Sequence, residues 1–148
     1  MIAMNMDEFG TQHEEIALIA AQLRQAIADP DQPQAVSALR WQLARKLMAH
    51  LALEDRILYP ALQRQGDDRV RATAARIQAE IGALAESFAR YMAAWTDDRI
   101  TRDWRGFCAD SGRILDALAR RIDREERILY PLARSVDDGA TGQIARAG

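Results

Sequence analysis

"HLALEDRILYP", residues 50–60, recurs as "RIDREERILYP", residues 121–131, with five identical residues in a row from Arg56 and from Arg127. Each copy ends in a Tyr-Pro pair and carries a glutamate six positions before its proline, Glu54 and Glu125. Only the first copy has an imidazole four residues ahead of that glutamate. His50 stands there, whereas the second copy has Arg121. A second pair of segments also lines up, "HEEIALIAAQLRQAI" from His13 with "QAEIGALAESFARYM" from Gln78. The chain therefore reads as two related halves, and the relation between them sets the fold.

Four long stretches are poor in proline and glycine and show the 3.6-residue apolar period of amphipathic helices. The first runs from about Thr11 to Ala28, with Thr11 and Glu14 placed as a capping box and Ile16, Ile19, Ala20, Leu23 and Ile27 as its stripe. The second begins near Pro33 and runs to Tyr59, where Pro60 is expected to kink or end it. The third runs from about Asp68 to Trp95 along Val70, Ala74, Ile77, Ile81, Leu84, Phe88 and Met92. The fourth starts near Thr101 and carries Trp104, Phe107, Ile114, Leu115 and Leu118 toward Glu125. Short connections such as "DPDQ" and "RQGD" favour antiparallel neighbours. The expected fold is all-α, an up-down-up-down four-helix bundle over residues 1–135 with an internal pseudo-twofold. Residues 136–148 are expected to form a loose tail.

With 148 residues the chain has length for one domain with a full core. A net charge of −2 gives no electrostatic reason to expect nucleic acid or an anionic membrane as partner. "MIAMNMDEFG" lacks the basic region and apolar run of a signal peptide, and no stretch is long and apolar enough to span a bilayer. A single cysteine, Cys108, excludes an internal disulfide, fits a cytoplasmic setting and falls at an apolar helical position where burial is expected. No nucleophile–base pair, phosphate loop or dinucleotide motif is present, so the expectation is a protein that is not an enzyme.

At about 100° per residue, His50 and Glu54 fall within the apolar stripe of their helix, and Arg121 and Glu125 do so on theirs. His13 and Gln78 lie on the inner edge, each three residues before a stripe isoleucine. Six polar side chains are thus expected to converge: His13, His50 and Glu54 from one half, Gln78, Arg121 and Glu125 from the other. Buried carboxylates need compensation. A metal ion supplies it in many helical bundles, where imidazole and carboxylate face each other. Arg121, whose guanidinium stays charged when buried, is the alternative bridge between Glu54 and Glu125. Tyr59 and Tyr130 are read as packing residues. Trp41 and Met48 fall on the side of their helix opposite His50, an outward face read as a homodimer seam or a contact for an unknown protein partner.

This pattern resembles the hemerythrin family, specifically the HHE cation-binding domains, over residues from about 11 to 134. The carriers of the resemblance are His13, His50 with Glu54, Glu125 (Glu126 in the alternative register) and the closing "EERILYP". It implies a four-helix bundle around a non-haem di-iron centre, and a role in carrying or sensing dioxygen, handling iron or responding to nitric oxide. Gln78 and Arg121 stand where the family has histidines on its third and fourth helices. A glutamine oxygen is a weak ligand and a guanidinium cannot ligate. The expectation is therefore a depleted site for one metal at most, iron or zinc, held by His13, His50 and Glu54 with Glu125 supporting. A metal-free bundle serving as a regulatory or interaction module is the alternative.

Overall fold

A computed structural model describes residues 5–147 of the chain, with side chains described to residue 139. Among the described residues there is no strand, and no helix is long and apolar enough to cross a membrane. The described residues form seven α-helices: α1 (Met6–Ala26), α2 (Ser37–Leu53), α3 (Tyr59–Gln65), α4 (Asp68–Ala94), α5 (Asp97–Arg102), α6 (Trp104–Arg124) and α7 (Tyr130–Ala147). Two single π-helical turns, Glu54–Leu58 and Glu125–Leu129, join α2 to α3 and α6 to α7 without a break. The bundle therefore has four rods: α1, α2–α3, α4 and α6–α7.

Side-chain contacts show the rods to be antiparallel. Gln12 and His13 near the start of α1 meet His50 at the end of α2 and Glu125 and Glu126 after α6. At the other end, Arg40 near the start of α2 reaches the carbonyl of Trp95 just past α4, and Tyr91 meets Ser111 of α6. The expected stripes are the core. Ile16, Leu23, Leu43, Leu47, Ala74, Ile77, Ile81, Leu84, Phe88, Phe107, Leu115 and Leu118 are all buried, with Ile19, Ala20, Ile27, Met92 and Ile114 packed at its edge.

Several boundaries differ from the sequence reading. Helix α1 starts five residues before Thr11, capped by Asn5, whose side chain accepts from the Glu8 N–H at 3.3 Å. Thr11 lies inside the helix and turns its hydroxyl back to the Asp7 carbonyl. Asn5 is an equally good cap, and its choice lets Met6 and Phe9 join the core. Helix α2 starts at Ser37, four residues beyond Pro33. A short extra helix, α5, fills the connection before α6, where Asp103 caps Gly106. Cys108 is half-buried at the core edge rather than enclosed. Helix α7 is assigned from Tyr130 to Ala147.

Pro60 does not end its rod. A proline inside an α-helix lacks the N–H for the carbonyl four residues back and crowds that carbonyl with its ring. The π turn relieves both conflicts by widening the helix just before the proline, so that the Tyr59 N–H bonds to the Glu54 carbonyl five residues back. Around Pro131 the same device recurs, with the Tyr130 N–H bonded to the Glu125 carbonyl. The repeated "RILYP" therefore encodes a repeated π turn.

The end of the bundle away from the histidines is pinned by Arg40, a fully enclosed cation. Its guanidinium donates to the carbonyl oxygens of Trp95 at 2.6 Å and Met92 at 3.4 Å, and lies over the rings of Tyr91 and Phe107. These carbonyls are the ones that the end of α4 leaves without helical donors. Replacing Arg40 by methionine keeps the stem but strands them. The variant should lose about 2 kcal/mol or more of stability, measured as a lower urea midpoint with an unchanged helical far-ultraviolet spectrum.

Candidate metal centre

His50 closes the last turn of α2, Glu54 opens the π turn that follows, and Glu125 opens the second π turn; His13 reaches them from α1. All four side chains are buried, at 1% (His13), 2% (His50), 0% (Glu54) and 1% (Glu125) exposure. Each offers one ligating atom, and these atoms all lie within 4.8 Å of one another. His13 Nε2 is 2.9 Å from Glu125 Oε2, and His50 Nε2 is 3.4 Å from Glu54 Oε1 and 3.6 Å from Glu125 Oε2.

The outer nitrogens of both imidazoles are occupied. His13 Nδ1 donates to Glu126 Oε1 at 3.0 Å, and His50 Nδ1 donates to Gln12 Oε1 at 2.6 Å. With Nδ1 donating outward, the neutral form of each ring has its Nε2 lone pair directed inward, the tautomer that a metal requires; without metal, Nε2 faces carboxylates and can carry a second proton. Glu126, weighed in the sequence as an alternative ligand, is thus a support for His13. Gln12 escaped sequence reasoning because a single glutamine at a helix surface position carries no signature. Its position one residue before a candidate ligand is the only hint.

The other half of the pseudo-twofold is built differently. Gln78 is half-buried and donates to Asp55 at 3.2 Å. Asp55 follows Glu54 as Glu126 follows Glu125, so Gln78–Asp55 mirrors His13–Glu126 without entering the centre. Arg121 does not bridge Glu54 and Glu125, contrary to the expectation from sequence. Its side chain is about one-third exposed (34%) and pairs with Glu80 at 3.0 Å, beside Arg124, which meets the same carboxylate at 3.2 Å. A long cationic side chain at the edge of the stripe can extend to a half-exposed carboxylate and keep part of its hydration.

The place assigned to Arg121 is taken by Tyr130. Its hydroxyl lies 2.9 Å from His13 Nε2, 3.0 Å from Glu54 Oε2, 3.1 Å from Glu125 Oε2 and 3.4 Å from His50 Nε2. Sequence reasoning missed this because residues five apart on an α-helix stand about 140° apart, which turns Tyr130 away from Glu125. The π turn closes on the fifth residue and stacks one above the other. The signal was present as a glutamate five residues before Tyr-Pro, written twice.

The Tyr130 hydroxyl proton can serve only one of the two carboxylates at a time, and Glu54 Oε1 is enclosed with the 3.4 Å contact to His50 Nε2 but no well-aligned hydrogen bond. Two carboxylates and the Nε2 atoms of two imidazoles converge with a shortage of positive charge. Burial raises the Glu54 carboxyl to about 7 against the hydrogen bond from His50. Burial alone would raise Glu125 too, but hydrogen bonds from His13, His50 and Glu54 hold it down at about 2. For His50, burial works against protonation, and hydrogen bonds and charge from Glu125 and Glu54 overcome it and bring it up to about 9. Without metal, protons therefore gather where a cation fits. An orphaned carboxylate oxygen, two inward imidazole nitrogens and a second carboxylate suit one metal ion, with the donor types of iron or zinc.

These shifts fix the pH dependence of the metal-free protein. Glu54 and His50 both have folded values above their unfolded ones, so their contribution is full at lower pH and is lost as pH rises, through about 7 for Glu54 and about 9 for His50. Glu125, held low, contributes above its ordinary range and loses that contribution only in strong acid. Chelator-treated protein should accordingly show a denaturation midpoint that falls between neutral pH and about 9. A flat or rising profile would contradict the charge balance described.

Comparison with curated proteins finds no match, and neither does comparison with solved structures. A family model does match, and it covers most of the chain: the hemerythrin HHE cation-binding domain, over residues 4–133. The four-helix bundle, the paired motifs and the buried cluster of two histidines and two glutamates are features of one inheritance, and the chain belongs to the hemerythrin HHE cation-binding domain family.

Proposed function

We propose that this chain is a cytoplasmic, non-enzymatic protein that binds one iron ion through His13, His50, Glu54 and Glu125 and uses it to bind or sense dioxygen or redox state. The observation that carries this reading is the convergence of two imidazole nitrogens and two buried carboxylates within 4.8 Å of one another, with Glu54 Oε1 left without an aligned hydrogen bond. Bound iron would supply open positions for a small ligand and a change of oxidation state. The chain's own residues do the rest: Gln12 and Glu126 orient the imidazoles, the carboxylates balance the ion's charge, and the surrounding core excludes water.

A second metal lacks support on the other side. Gln78 is engaged with Asp55, and Arg121 with Glu80, so neither offers a donor to the centre. The metal-free alternative loses its counter-ion for the same reason, because Arg121 is not between Glu54 and Glu125. It would need the cluster to be neutralised by protons alone, as on His50.

After anaerobic loading with ferrous iron and desalting, about one iron per chain should remain, and His50→Ala should lose it. Two irons per chain would refute the single site, and none would favour the metal-free bundle. Trp41, at 53% exposure, and Met48, at 37%, lie outward on one face of α2, seven residues apart. We place a homodimer contact there. Trp41→Glu should convert a dimer to monomer in light scattering while leaving iron content unchanged; a wild-type protein that is already monomeric would remove the proposal.

A further inference from the structure

Metal binding by two histidines and two glutamates leaves one buried group of the centre unassigned, the Tyr130 hydroxyl. Donor atoms about 2.1 Å from a common metal and at right angles to one another lie about 3.0 Å apart. The Tyr130 oxygen stands 2.9, 3.0, 3.1 and 3.4 Å from the four candidate ligand residues. That is the spacing of a donor neighbouring four others around one ion, as at an octahedral vertex. In the metal-free centre the same distances are spanned by hydrogen bonds, so the phenol already holds the position that a ligand would take.

The ring has little freedom to leave. It stacks on His13 at 5.0 Å between centroids with 19° between planes, and Phe9 packs on it at 5.9 Å. Its backbone is set by the π turn behind it and Pro131 ahead of it. The hydroxyl of Tyr59, the pseudo-twofold counterpart, is enclosed but has no hydrogen-bond partner. The two tyrosines of the repeat therefore have different surroundings, and only Tyr130 joins the donor cluster.

We propose that Tyr130 supplies a fifth, phenolate ligand to the bound metal, an inference that rests on the metal-binding reading above. On binding, the phenol O–H bond, which now donates to Glu54 at 3.0 Å, breaks and one proton is released to the buffer for each metal bound, leaving Glu54 ionised as a ligand. An electron pair on the oxygen forms the bond to the metal, and no oxidation state changes. A ligand set of two imidazoles, two carboxylates and a phenolate carries three negative charges, which favours the ferric over the ferrous ion.

The test is spectroscopic. Ferrous-loaded protein is desalted, its iron content measured, and the iron oxidised with ferricyanide. A visible phenolate-to-iron charge-transfer band should develop, with tyrosine ring vibrations enhanced in Raman spectra excited within it. Tyr130→Phe should abolish the band, whereas Tyr59→Phe should keep it. Iron-loaded wild-type protein without the band or the ring vibrations would overturn the phenolate ligand while leaving metal binding intact, and so would a band that survives Tyr130→Phe. Wild-type protein that retains no iron would overturn both readings. The Raman measurement needs only the wild-type chain, so it decides the matter even if a variant misfolds.

Discussion

Two carboxylates buried side by side at the bundle core are the constraint around which the rest of this structure is arranged. An isolated carboxylate taken out of water costs several kcal/mol even after relaxation, and Glu54 and Glu125 are both fully enclosed. Every feature nearby answers that cost. Imidazoles reach in from α1 and α2, a tyrosine hydroxyl sits between the carboxylates, and the outer imidazole nitrogens are tied to Glu126 and Gln12. Protons on His50 supply part of the missing positive charge, and a divalent cation would supply it more fully.

The two π turns make this arrangement possible. They let each rod pass through a proline, and they bring the residue five beyond the glutamate back onto its face. The insertion acts on both halves alike, yet the outcome is asymmetric. In one half, His13 and His50 face the glutamates; in the other, Gln78 and Arg121 turn to surface partners. Tyr130 consequently meets four polar atoms, and the Tyr59 hydroxyl meets none. A symmetric backbone thus carries a lopsided centre, with its chemistry concentrated on the His13–His50 side.

Stability is divided along the length of the bundle. The end that holds the polar cluster accepts an arrangement suited to a cation. Arg40, Trp95, Tyr91 and Ser111 join α2, α4 and α6 at the other end through a buried polar and aromatic junction. A continuous apolar core of leucines, isoleucines and phenylalanines connects the two. Such a division allows the centre to remain short of positive charge without loosening the fold, since helix pairing does not depend on it alone.

The amino-acid sequence by itself determined the four rods, their antiparallel order, their core stripes and the convergence of His13, His50, Glu54 and Glu125, because helical periodicity and repeat alignment are local properties of the chain. The same logic placed Trp41 and Met48 on an outer face. Only the tertiary structure decided which long side chains remain inside. Arg121 lies close enough to the core stripe for either course, and the nearby Glu80 drew it outward. Tyr130 was hidden for a different reason: a periodicity of 100° per residue assumes an unbroken α-helix, and a π turn shifts every later residue on the rod. The choice of Gln12 and Glu126 as supports likewise depends on how neighbouring helices meet, and that is a distance between rods, which no single helix encodes.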